Sequence, residues 1–183
     1  MVKLRINYVI ELRKNIAAFI LVLMFSANAS ALDANMRVEN IIPLGLSVEI
    51  PKQFTLLPEK LAEIKYPSKR RPQVIYSNES GSVSFGISKL KKPELVGIDE
   101  IKDNMLSVMK NLSPRASQIE AGGNKAWLIT FTSKGLDADI LNMQLYMISD
   151  NNLIIATFNM TESNVNEYQS LGKKTLTSIK LNG

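Results

Sequence analysis

The sequence contains neither cysteine nor histidine. Without cysteine it can form no disulfide and has no thiol nucleophile, and without histidine it lacks the imidazole base of Ser-His-Asp catalysis. The same two absences remove the usual ligands of a zinc site. Carboxylates, lysine, serine, threonine and tyrosine are the reactive side chains that remain. We therefore expect a chain that is not an enzyme and that uses no metal or other cofactor.

Long apolar stretches are scarce as well. The run from Ile16 to Phe25 has ten residues, about half of the roughly 20 that a helix needs to span a bilayer. Four cations precede it, at positions 3, 5, 13 and 14, and Ala29 and Ala31 follow it at the spacing of an A-x-A cleavage site. This order predicts a secretory signal peptide over residues 1–31 and a periplasmic or extracellular location. Retention of the run as an uncleaved anchor is the alternative.

The charge balance changes once the leader is removed. The whole chain holds 22 lysines and arginines against 17 acids, and the leader takes four cations and one acid with it. Residues 32–183 therefore keep 18 cations and 16 acids, a net charge of +2. Such a nearly balanced surface argues against nucleic acid as a partner. The length predicts a single domain over 32–183.

Alternation of apolar and polar residues, with turn residues between the segments, predicts seven strands. They cover residues 46–51, 73–77, 83–89, 116–121, 125–133, 138–149 and 153–160. A short helix is predicted between Pro58 and Pro67, and longer helices over 98–112 and 163–180. Residues 31–42 are predicted to be an irregular polar lead-in. The predicted fold class is α+β, with an antiparallel sheet flanked by helices on its faces.

The pattern within these elements predicts which side chains face the core. In the helix over 98–112, Asp99 is the expected N-cap. The expected inner face consists of Ile98, Ile101, Met105, Val108, Met109 and Leu112. Gly172 should let the last helix approach the sheet closely.

The strands carry the same kind of signal. Residues 153–160 are almost all apolar, as in a central strand, and Trp127, Ile129 and Phe131 should share one face. In residues 83–89 the alternation predicts one buried face, with Ser84 and Gly86 on the other, solvated one.

The order of these elements resembles the PsbP-like family, whose fold is shared by the envelope lipoprotein DcrB and by a Ran-binding nuclear-import factor. The resemblance rests on "LSVEIPKQF", "YPSKRRPQVIYSNESGSVSFGIS", "IDEIKDNMLSVM", and "LNMQLYMISDNNLIIATFNM" before "GKKTLTSIKL". It covers most of Leu46 to Leu181. It implies a non-enzymatic domain that binds another protein, and it carries over no binding residue. The lipobox cysteine of DcrB is absent, so the resemblance does not imply a membrane tether.

One cluster of charge is a candidate binding surface. Three consecutive cations lie between two prolines, just before the strand over 73–77, and a second group ends the strand over 83–89. These six cations are Lys69, Arg70, Arg71, Lys89, Lys91 and Lys92. An antiparallel hairpin would make the two groups neighbours, and together they would suit an acidic protein surface or anionic headgroups. The alternative is a solvated bend beside a solvated strand end.

Three other patterns have simpler explanations. Asp137 and Asp139 have the spacing of paired metal ligands, but acids two apart on a strand do not converge with a third ligand, so we expect no metal site. Gly122–Gly123 is expected to form a hairpin turn because no phosphate-loop lysine or helix follows it. Four methionines, at positions 105, 109, 143 and 147, could form an adaptable groove but lie in core-facing phase.

The sequence therefore predicts a secreted, non-catalytic envelope domain that works as an accessory or protein-binding subunit. An immunity protein that caps an envelope-targeted toxin is the alternative, and a hydrolase is an outsider. Any membrane contact is expected to be transient or peripheral. The partner and the oligomeric state stay open.

Overall fold

A computed structural model describes residues 35–66, 71–135 and 137–182, and the predicted signal peptide lies outside these ranges. Arg37–Gly183 form one compact unit. The strands are β1 (Met36–Ile41), β2 (Leu46–Pro51), β3 (Thr55–Leu56), β4 (Val74–Ser77), β5 (Val83–Lys91), β6 (Arg115–Ala121), β7 (Asn124–Lys134), β8 (Asp139–Ser149), β9 (Asn152–Thr161) and β10 (Lys180–Leu181). The helices are α1 (Glu59–Lys65), α2 (Ile98–Val108) and α3 (Val165–Thr177). No helix in the described ranges is long and apolar enough to cross a membrane.

The strands form two sheets. The large sheet has seven strands in the order β3-β4-β5-β9-β8-β7-β6, and all its pairs are antiparallel. The small sheet has the order β1-β2-β10. All seven predicted strands are present, and β9 has three strands on each side, which confirms its central position. The α+β prediction is confirmed.

Two predicted turns are tight hairpins. Gly122 and Gly123 join β6 to β7 with φ angles of +55° and +77°, and Asp150 and Asn151 join β8 to β9 with φ angles of +47° and +60°. Positive φ at both central residues matches the right-handed twist of the flanking strands. Gly122 has a second reason to be glycine, because a Cβ atom there would lie 2.6 Å from the carbonyl oxygen of Ile179.

Both faces of the large sheet are covered. On one face, α3 and the small sheet bury a core that includes Phe54, Leu145 and Phe158. On the other face, α2 buries a smaller core that includes Ile129 and Tyr146. Strand β8 contributes alternate residues to the two cores, as its sequence pattern predicts.

The first and last strands were not expected. The polar lead-in contains β1, and the helix predicted to reach residue 180 ends at Thr177. The side chain of Ser178 accepts a hydrogen bond from the backbone of Glu49 at 2.8 Å, and Lys180 then pairs with Ser47. The pairing with β2 therefore replaces the last helical turn.

The face of α2 also differs from the prediction. Val108 is 77% exposed and Leu112 is 39% exposed, while Leu106 packs on the core instead. The ammonium of Lys102 lies 4.8 Å from the centroid of the Trp127 ring. The inner face of α2 therefore includes Lys102 and Leu106 and leaves Val108 outside, and the turn over 110–112 breaks the helical period before Leu112.

Candidate protein-binding groove

Three of the six predicted binding cations precede β4. Lys69 and Arg70 lie outside the described residues. Arg71 points to α1, where it forms an ion pair with Glu59 and lies 3.7 Å from the carboxylate of Glu63. Arg71 therefore ties the chain just before β4 to the short helix, and part of its charge is neutralised within the chain.

The other three cations lie along and after β5, and two of them contact backbone. The ammonium of Lys89 donates to the Leu44 carbonyl at 3.0 Å, and that of Lys92 donates to carbonyls in the following loop. Lys91 is exposed. The predicted hairpin is confirmed, and the backbone N–H of Lys89 donates to the Gln73 side chain at 2.9 Å. Binding of an acidic partner by this surface stays a prediction.

The segment around the bend covers the outer face of β5. A Cβ atom at Gly86 would lie 2.7 Å from Cγ of Pro72. The hydroxyls of Tyr66 and Ser84 are hydrogen-bonded at 2.7 Å. Ser84 and Gly86 are therefore buried, and the prediction that this face of the strand is solvated was wrong. Pro72 and Tyr66 therefore cover this part of the sheet.

The remaining sequence patterns have structural explanations. The carboxylate of Asp139 pairs with Lys134 at 2.8 Å, and no group of three or more acidic residues in the described ranges could hold a metal ion. The four methionines are divided between the two cores, on opposite faces of the sheet. They do not form one groove.

A groove of about 340 Å³ lies between α3 and the outer strands of the large sheet. Its floor is apolar and comes from three neighbouring strands, with Ile119 on β6, Leu128 on β7 and Met143 on β8. Gln169 and Lys173 of α3 form part of its wall. An apolar floor with a few polar groups beside it is the usual composition of a binding site.

The groove exists because of where α3 crosses the sheet. Gly172 brings the helix against Phe158 of the central strand β9, so close that a Cβ atom would lie 2.7 Å from the ring. The helix is thus held over the middle of the sheet and leaves the groove-facing side of β6 partly open. The prediction that Gly172 allows close approach is confirmed.

The rim of the groove is polar and carries little charge. Ser117, Thr130 and Ser170 complete the lining, and among the lining residues Lys173 alone is charged. Its side chain is exposed. The groove can therefore hold an apolar group and attract an acidic one, and it contains no neighbouring acid–base pair.

A second cleft, of about 500 Å³, lies beside the Gly122–Gly123 turn and β10. It is lined by backbone of the turn and by two side chains of opposite charge, Glu120 and Lys180. Leu181 supplies apolar surface, but the residues that line the cleft from the large sheet, Glu120, Asn124 and Ser149, are all polar. It is a less suitable site for an apolar group than the α3 groove.

A polar cluster joins α2 to β7 on the opposite face of the sheet. Asp99 accepts hydrogen bonds from the indole N–H of Trp127 at 2.7 Å and from the ammonium of Lys125 at 2.8 Å. These bonds hold the pKa of Asp99 below its usual value. The residue at the N-cap is Gly97, so the prediction of Asp99 as N-cap was wrong. Its carboxylate binds the sheet instead.

Two of the buried tyrosines, Tyr76 and Tyr146, have raised pKa values. The pKa of Tyr76 is raised to about 12, mainly by burial and also by the negative charge of Glu39. The Tyr76 hydroxyl donates a hydrogen bond to the Glu39 carboxylate at 3.2 Å, which contributes to the same shift. Burial raises the pKa of Tyr146 to about 12, and its hydroxyl donates to Gln144 at 2.7 Å. Neither tyrosine lines the α3 groove. These shifts therefore reflect packing and do not identify a catalytic base.

Solved structures show the same architecture. Cyanobacterial PsbP (CyanoP) from Synechocystis matches 81% of this chain and 93% of its own length, with a TM-score of 0.55 and 11% identity. LpqN of Mycobacterium tuberculosis, described as involved in cell envelope biogenesis, matches 83% of this chain and 95% of its own, with a TM-score of 0.53 and 14% identity. The chain has a PsbP-like fold. This confirms the expectation drawn from the order of the elements.

A third solved structure with a similar fold is a protein from Bacteroides thetaiotaomicron, with a TM-score of 0.55 and 10% identity. The match covers 81% of this chain but only 49% of that protein. No family model and no curated protein matches the chain. At these identities the likeness establishes the PsbP-like fold alone.

The groove was not predicted from the sequence. The sequence of β6 places Ser117 and Ile119 on one face of the strand. A strand whose face is covered by a helix would show the same alternation. Only the position of α3 across the sheet shows that this part of the face is open. The exposed Lys173 on the same helix was the one available signal.

Proposed function

We propose that this chain is a secreted, non-catalytic protein of the cell envelope that acts by binding another protein in the groove between α3 and β6. The observation that carries the proposal is the apolar floor of the groove beside its polar rim. In this floor Ile119 is half-buried, and Leu128 and Met143 are buried. Such a combination suits an apolar side chain with polar surroundings.

Three other observations support the proposal. The pattern of residues 1–31 supports export to the periplasm or the extracellular space. The PsbP-like fold is compatible with an accessory role, and LpqN is described as involved in cell envelope biogenesis. The absence of cysteine and histidine, together with the single charged residue Lys173 in the groove, supports a role without catalysis.

Affinity capture tests the proposal. The purified secreted protein is immobilised and exposed to envelope extract at low salt, beside Lys173→Glu and a matched control, Lys110→Glu. Lys110 is also exposed, but lies after α2 on the other side of the sheet. We expect one protein to be retained by the wild type and by Lys110→Glu, and to be depleted on Lys173→Glu.

Retention of no protein by the wild type would refute the protein-binding proposal. Equal retention by all three proteins would refute the groove as its site and return attention to the basic cluster around Lys91. Mass spectrometry of the captured protein separates an envelope subunit from a toxin, and a toxin would make the chain an immunity protein.

A further inference from the structure

Strand β6 forms one edge of the large sheet, and it is well suited to accept another strand. Its register with β7 is unbroken from Arg115 to Ala121, without a bulge, and the strand contains no proline. Proline, bulges and coverage are the features by which proteins commonly block an edge. Among the described residues, no strand pairs with the outer side of β6.

The register shows which backbone groups are free. Ala121 and Asn124 flank a two-residue turn and are therefore a hydrogen-bonded pair, and bonding alternates along an antiparallel ladder. Ala116, Gln118 and Glu120 consequently turn their N–H and C=O groups away from β7. A second starting point gives the same result. The Thr161 N–H donates to the Ser82 carbonyl, and the strand registers carry this alternation from β9 through β8 and β7 to β6. It again leaves the backbone groups of Ala116, Gln118 and Glu120 on the outer side.

The free edge and the groove are adjacent. Ser117 and Ile119 of β6 face the groove, while Gln118 between them directs its backbone to the open side. A strand added to β6 would lie about 4.8 Å away and would alternate its side chains in the same manner. Every second side chain of the added strand would therefore lie on the groove side, where a long apolar one could reach the floor beyond Ile119.

Charge identifies the kind of strand that fits. Lys173 is the one charged residue of the lining, so an acid beside the apolar side chain would be attracted. A second copy of β6 would offer Arg115, Ser117, Ile119 and Ala121 on that side, and none of them is acidic. A second copy is thus a poor match to the groove.

We propose that an extended segment of a partner protein adds to the sheet along β6, with an apolar side chain in the groove and a carboxylate beside Lys173. The inference rests on the proposed protein-binding function and gives the mode of binding and the chemistry of the partner. Main-chain bonds to Ala116, Gln118 and Glu120 supply affinity, and the groove supplies specificity.

A synthetic nonapeptide tests this mode directly. It consists of threonines with leucine at the centre and aspartates two positions to either side, so that the three share one face of a strand. Titration into the ¹⁵N-labelled protein should give saturable shifts of the amide signals of Ala116, Gln118 and Glu120. Replacing both aspartates by lysines should weaken binding by about tenfold, which corresponds to about 1.4 kcal/mol.

Two substitutions of Gln118 separate strand addition from simple adhesion to the groove. Gln118→Pro removes an outward N–H, which an edge strand tolerates, while Gln118→Ala keeps it and removes only the side chain. We expect binding to be lost in the first and kept in the second. Two N-methylated peptides check the result without altering the protein, one methylated at all even positions and the other at all odd positions. Because alternate N–H groups of an added strand face β6, only one of the two peptides should bind.

The outcomes distinguish this inference from the proposed function. If the captured protein binds Gln118→Pro as tightly as the wild type but is depleted on Lys173→Glu, the groove function stands and the β6 mode is refuted. Absence of saturable shifts with the peptide, equal binding of both N-methylated forms, or a stable dimer that the peptide does not dissociate would each overturn the β6 mode.

Discussion

The contact between α3 and β9 gives the sharpest prediction for stability. A Cβ atom at Gly172 would lie 2.7 Å from Cδ1 and 3.0 Å from Cγ of Phe158. The Phe158 ring is fully buried and stacks on Phe54 with centroids 5.7 Å apart, and Phe54 stacks in turn on Tyr168 at 6.1 Å. The ring therefore cannot move aside easily, and Gly172→Ala must shift the helix.

Two opposing effects set the size of the change. Alanine is favoured over glycine by about 0.8–1.0 kcal/mol in a helix interior. An extra methyl group in a packed core costs about 1–3 kcal/mol. We expect Gly172→Ala to lower the free energy of unfolding by about 1 kcal/mol, and the Tm by about 2–4 °C.

Urea and thermal unfolding, followed by circular dichroism, measure the effect. Ser170→Ala is the matched control, because it makes an alanine in the same helix at an exposed position. Phe158→Leu should relieve the overlap, so the double variant should show a favourable coupling of about 1–2 kcal/mol between the two sites. An increase in stability for Gly172→Ala alone would refute the claim that close packing at this position fixes α3.

Three further predictions concern individual side chains. Because the pKa values of Tyr76 and Tyr146 are raised to about 12, their contribution to the free energy of unfolding should be constant up to pH ~10 and then fall by about 1.4 kcal/mol per pH unit for each tyrosine until pH ~12. Tyr146→Phe should remove the share of Tyr146 from this slope in urea unfolding at several pH values. Hydrogen bonds from Lys125 and Trp127 lower the pKa of Asp99, so the fluorescence of the single tryptophan should change at a pH below the range in which aspartates usually titrate. Asp99→Asn should abolish this pH-dependent change in fluorescence. The same fluorescence titration in Asp99→Asn as in the wild type would contradict the contact. Arg71→Ala should lower the free energy of unfolding by about 1 kcal/mol or less, as expected for a partly exposed ion pair, and limited proteolysis should show faster cleavage at α1. Unchanged stability together with unchanged cleavage would show that the pair does not hold α1 in place.

The strands could be predicted because their signal is local. Residues 153–160 are apolar on both faces, and the central position of β9 follows directly from that pattern. The two-residue turns at Gly122 and Asp150 fix the register of their hairpins through neighbours in the chain. Such features need no knowledge of distant segments.

The small sheet and the groove depend on distant segments, and so they were missed. Strand β1 has the polar sequence MRVENI, and it is stabilised by pairing in the small sheet and by Arg37, which donates to the Phe54 carbonyl at 3.0 Å. The groove depends on how far α3 lies from β6, which is set by Gly172 against Phe158. The helical period gives the inner face of α3 but not its path across the sheet.

The pairing of β10 with β2 also has a consequence for the order of folding. Most neighbours in the large sheet follow each other through short hairpins, whereas the bond from the Glu49 backbone to Ser178 joins positions 129 apart. Loop closure over such a span is entropically costly, so contacts of this kind form slowly unless intervening structure already exists. The β6–β9 meander can therefore assemble first, and the small sheet closes the core as a late step, when β2 and β10 pair. Refolding kinetics should accordingly show Ser178→Ala accelerating unfolding with little change in the folding rate.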